Sequence, residues 1–112
     1  MTRLEERLAA LAAAGETVTY GALARDLGLR MAELTTALEM LMEEDAAEKR
    51  PYRAAVCAAR LGEGLPARGF FDKAAALGHR IDDPTAFVQT ERAALKASPT
   101  SSAAFPSQNI PG

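Results

Sequence analysis

Two helical runs separated by a glycine stop constrain this chain more than anything else in it. Thr17-Val18-Thr19 is rich in β-branched residues and reads as a short extended entry. Thr19 is then the natural cap of a helix from Tyr20 or Gly21 to Leu27, with Leu23 and Leu27 four apart on its inner side. Gly28 ends it, and a second helical run begins almost at once, at Met31. Two helices joined by about three residues containing glycine form a helix-turn-helix. Ala24 is small where the two helices would cross, and Gly28 permits a left-handed turn.

The elements around this pair follow from local signals. Thr2 and Glu5 make a capping box for a first helix, with Leu4, Leu8, Leu11 and Ala12 on its apolar side and Gly15 as its stop. That amphipathic helix offers a seam for a homodimer. The third helix spans Met31–Glu48, with Leu34, Leu38, Leu41 and Asp45 on one stripe flanked by Met31 and Met42. Its outer face carries Glu33, Thr36, Glu39, Met40, Glu43 and Glu44, and Pro51 stops it. The run Tyr52–Leu61 lies between Pro51 and the breakers Gly62, Gly64 and Pro66. Its alanines favour helix, but a β-wing commonly follows a third helix of this kind, so a strand is expected. A short helix from Phe70 or Phe71 to Leu77 ends at Gly78, and Asp83-Pro84 opens a last helix to Ala97. The expected fold is mainly α with a small β-wing, of winged helix-turn-helix type, over residues 1–97. Residues 98–112 contain three prolines and no charge and are expected to form a disordered tail.

At 112 residues the chain holds one domain with one modest core. No apolar run approaches the length of a membrane span. Met1–Glu6 is too acidic for a secretory signal, so a cytoplasmic location and no membrane partner are expected. Cys57 is the single cysteine and His79 the single histidine, which leaves neither a disulfide nor a metal cluster. Cys57 lies in an alanine-rich run and reads as a small buried hydrophobe, and His79 as part of a surface turn. Gly62-Glu63-Gly64 lacks the Lys and Ser/Thr of a phosphate loop. No cofactor, no metal and no catalytic activity are expected.

The net charge of −2 is unevenly spread: −6 over residues 1–48, +5 over 49–80 and −1 over 81–112. A reading helix would present Arg30, Thr35 and Thr36 to a major groove. Only Arg30 among these is basic, and the helix is otherwise acidic on its outside. Phosphate contacts would then fall to Lys49 and Arg50 at the base of the wing, and to Arg53, Arg60 and Arg68 in the wing and the turn after it. Duplex DNA is the first partner expected. A protein partner, met on the same fold without DNA, is the alternative.

The stretch Val18-Thr19-Tyr20-Gly21-Ala22-Leu23-Ala24 with Leu27-Gly28 resembles the winged helix-turn-helix domain of the O6-alkylguanine DNA alkyltransferases and alkyltransferase-like proteins. The similarity runs over residues 15–55 and implies that fold. It stops short of the chemistry. Where that family has Pro-Cys-His-Arg, this chain has Pro51-Tyr52-Arg53, with Tyr52 in the nucleophile's place and no histidine. Cys57 lies five residues on and is no substitute. Further along, Pro66-Ala67-Arg68-Gly69-Phe70 is similar to a segment of small bacterial proteins that share the Tyr-Gly-x-Leu-Ala entry. Physically it reads as a tight loop anchored to the core by Phe70 and Phe71.

Overall fold

The computed structural model describes residues 2–97; the tail expected over 98–112 lies outside the described residues. Helix α1 (Arg3–Ala14) starts as its capping box requires. The Glu5 amide donates to the Thr2 hydroxyl at 3.1 Å, and the Thr2 amide to the Glu5 carboxylate at 2.9 Å. Gly15 closes it with φ +71°, a left-handed geometry that suits glycine. Strand β1 (Val18–Thr19) leads directly into α2 (Tyr20–Leu27), where the Thr19 hydroxyl accepts from the Ala22 amide at 3.2 Å. Gly28, at φ +69°, ends α2. Then α3 (Met31–Ala47) follows, its first turn steadied by the Glu33 carboxylate, which accepts from the Arg30 amide at 2.8 Å. The pair α2 and α3 packs together as the spacing requires.

Beyond Pro51 the chain departs from expectation. Tyr52–Leu61 is not a strand. Arg53–Val56 is a single 3-10 turn, and only Cys57–Ala58 (β2) is extended. The reason is capping by distant carboxylates. The Arg53 amide donates to Asp45 at 3.0 Å and the Tyr52 amide to Glu91 at 2.8 Å, which satisfies the first donors of a helical turn. Ala54 and Ala55 are both buried and small enough for that turn to sink between helices. Strand β2 pairs in parallel with β1, Val18 opposite Cys57 and Thr19 opposite Ala58. An antiparallel wing hairpin is therefore absent among the described residues. A tight loop stands in its place, closed by the Ala59 amide donating to the Leu65 carbonyl at 2.7 Å.

Helix α4 (Arg68–Ala76) begins two residues before Phe70, and α5 (Pro84–Ala97) completes the fold. One core joins all five helices, with Leu8, Leu23, Leu34, Val56 and Val88 almost wholly buried at its centre. Leu4, Leu8 and Leu11 are spent inside it, with α1 packed on α5 and on the 3-10 turn. The leucine seam expected for a homodimer is thus not on the surface. Phe70 is buried and meets Tyr52, Phe71 and Phe87 edge-on or tilted at 5.2–6.2 Å, and so anchors α4 as the loop reading anticipates. His79 is exposed in its turn, with its ring 5.0 Å from that of Tyr52. Among the described residues no helix is long and apolar enough to cross a membrane.

Candidate binding face of the helix-turn-helix

The eight residues expected to touch DNA do not share one surface. Asp45, on the leucine stripe of α3, is fully buried. A carboxylate in that position must be paired, and the two arginines nearest in sequence supply the charge. Arg53 sits 2.9 Å from Asp45 through Nη2 and 3.0 Å through Nε. Its Nη1 reaches Glu5 at 3.1 Å. Only 19% of the Arg53 side chain is exposed. Arg50 pairs with the same carboxylate at 3.2 Å, with about half its side chain in solvent. The carboxylates of Asp45 and Glu5 hold the Arg53 guanidinium charged, against its burial. Arg53 is therefore an interior cross-link of α1, α3 and the 3-10 turn.

Thr35 and Thr36, expected side by side at base edges, diverge. Thr35 faces a groove between α2 and α3, whereas Thr36 lies beside Glu33 and Met40 on the other side of α3. Neighbours on a helix are about 100° apart, which forces this split. Arg30 remains well exposed and pairs with Glu33 at 3.5 Å. Arg68 opens α4, also exposed, 3.8 Å from Asp72. Lys49 is exposed just past the end of α3, in a left-handed conformation with φ +57°. Arg60 alone of the eight lines the groove as a cation, and it makes no salt bridge among the described residues.

The groove itself was not foreseen. It has a volume of about 780 Å³ and is partly open to solvent. Its floor is apolar: Leu38, Met42, Ala54 and Phe70 are each at most 5% exposed. Met31, about half exposed, stands at one end on α3. The start of α2 contributes Gly21 and Ala22, whose small side chains leave the mouth wide; a Cβ at Gly21 would meet nothing within 4 Å. Tyr20 ties the two banks together, because its hydroxyl accepts from the Ala67 amide at 3.0 Å. Burial pushes that phenol up to about 12, with the Ala67 hydrogen bond opposing, so it stays neutral at ordinary pH. Three charges sit on the walls: Arg25 from α2, Arg60 from the loop and Glu39 from α3. Arg25, like Arg60, has no carboxylate partner among the described residues. The available signals in the sequence were Met31 and Met42 flanking a leucine stripe, which widen the apolar arc of α3 beyond what one core contact needs.

Arg92 holds the loop bank in place. Its Nε donates to the Ala55 carbonyl and its Nη2 to the Gly64 carbonyl, both at 2.7 Å. Cys57 is fully buried beneath, and burial pushes its thiol up to about 12. A thiol so placed has almost no thiolate at neutral pH. Compared with known protein families, curated proteins and solved structures, the chain matches none of them.

Proposed function

We propose that this chain is a non-catalytic binding module that holds an apolar segment of a partner protein against its helix-turn-helix face. One observation carries the reading: where a DNA reader would carry cations, this face carries an apolar groove of about 780 Å³. That volume lies within the usual range of ligand-binding clefts. Two of the cations expected to meet phosphates are withdrawn from solvent, in whole or in part. Arg53 and much of Arg50 are engaged by Asp45, and the exposed side of α3 bears Glu33, Glu39, Glu43 and Glu44. Sequence-independent DNA affinity comes from Lys and Arg neutralising phosphates, so this arrangement supports little of it. Electrophoretic shift of a random duplex at low and moderate salt tests the reading. No retarded complex is expected at either. A complex that forms at low salt and dissolves steeply as salt rises would overturn it.

A second reading is DNA binding, favoured by the packed α2–turn–α3 pair and by the exposed Arg25, Arg30, Arg60 and Arg68 around it. It inherits the resemblance to the alkyltransferase winged helix. On that reading, replacing these four arginines by alanine weakens binding uniformly across sequences and flattens its salt dependence.

A further inference from the structure

We propose that the occupant of the groove is an amphipathic α-helix of a partner protein, with carboxylates flanking its apolar face. This rests on the partner-binding reading above and names the chemistry of the partner.

The shape of the binding face selects a helix over a strand. A peptide that adds to a sheet needs a row of free backbone donors and acceptors. Here β1 and β2 are two residues each and pair with one another. The Ala59 amide that would extend β2 is already taken by the Leu65 carbonyl. Recognition is therefore left to side chains meeting an apolar floor. The α3 wall runs from Met31 to Met42, about 17 Å at 1.5 Å per residue, which matches about three turns of a second helix. Such a helix presents apolar residues at i, i+3 or i+4, and i+7, in register with that floor.

Charge selects its flanks. Of the three wall charges, Arg25 on α2 and Arg60 on the loop stand exposed and without carboxylate partners among the described residues, and Glu39 on α3 is the one anion, so the walls are cationic on balance. Carboxylates at the edges of the incoming apolar face would meet both arginines. Basic flanks would meet the two guanidiniums unfavourably and find only Glu39 among the wall charges to pair with. Pairs of this exposed kind are each worth about 0–1 kcal/mol, so they set orientation and partner choice more than affinity.

The test is selection from two displayed random peptide libraries against the full chain, one helical and one extended and proline-containing. The helical library is expected to yield binders with apolar residues at helical spacing and an excess of Asp and Glu at the flanks. Arg25→Gln with Arg60→Gln should weaken those binders roughly tenfold, the scale of two exposed pairs lost together. Met31→Lys should abolish binding; Met31 is half exposed, so the core tolerates the change, as circular dichroism would verify. Binders from the extended library alone would leave the groove reading standing and overturn the helix. Helical binders with Lys or Arg flanks would overturn the carboxylate assignment. Enrichment from neither library would overturn the groove reading itself.

Discussion

Asp45 decides more about this molecule than any other single residue. It stands in line with Leu34, Leu38 and Leu41, and its burial obliges Arg53, and in part Arg50, to turn inward. Removing one partner of a buried pair leaves the other charge uncompensated. Asp45→Ala is therefore expected to destabilise the fold by about 3–5 kcal/mol in chemical denaturation. A loss below about 1 kcal/mol, the scale of an exposed pair, would mean that Arg53 is free to turn outward. Glu5 belongs to the same network. Hydrogen bonding from the Thr2 amide and from Arg53 outweighs partial burial and holds its carboxyl below the usual range. A group whose pKa is depressed by folding stabilises above its unfolded value and loses that contribution as pH falls through the folded one. Stability should accordingly decline below about pH 4.5, and Glu5→Gln should flatten that acid limb in pH-dependent melting. An unchanged limb would remove Glu5 from the account. Cys57 makes a separate claim: thiol reagents should label it slowly in the native chain and fully in denaturant. Fast native labelling would contradict its burial.

At the scale of elements, what could be read in the sequence was local. The Thr2–Glu5 box, the Gly15 and Gly28 stops, the Thr19 cap and the leucine stripe of α3 each act within four residues. All of them stand where the spacing put them. The segment after Pro51 was misread as a strand because its determinants lie elsewhere. Its amides are capped by Asp45, eight residues before Arg53, and by Glu91, thirty-nine residues after Tyr52. Asp45 did leave a trace, as a lone carboxylate on an apolar stripe followed closely by two arginines. Nothing local announces Arg92, which fixes the 3-10 turn and the loop through two backbone carbonyls. Lysine cannot reproduce that fork. Arg92→Lys should therefore speed hydrogen exchange at the Ala59 and Leu65 amides, which close the loop. Exchange unchanged at both would show that the loop holds itself. Within α3, Leu38→Ala should cost about 2–5 kcal/mol, because Leu38 is 4% exposed and serves both core and groove floor.

At the scale of the whole molecule, a charge asymmetry visible along the chain is partly cancelled in space. The basic segment 49–80 folds against the acidic first half. Arg50 and Arg53 meet Asp45, Arg53 meets Glu5, and Lys73 meets Glu43 at 2.6 Å. Of the cations that sequence position suggested for phosphate contact, Arg53 and in part Arg50 become internal pairing, whereas Lys49, Arg60 and Arg68 stay exposed. The surface that this leaves includes an apolar groove with Arg25, Arg60 and Glu39 at its walls. Its assembly from four separate segments explains why no single stretch revealed it. The four methionines offer a direct way to ask whether that groove is the working surface. Met31 and Met42 line it, whereas Met40 is exposed on the other side of α3. With methyl-labelled methionine, a helical peptide selected against the full chain should shift the Met31 and Met42 resonances and leave Met40 in place. Random duplex DNA at low salt should shift none of the three. Shifts confined to Met40, or a response of the α3 methyls to DNA, would contradict the account.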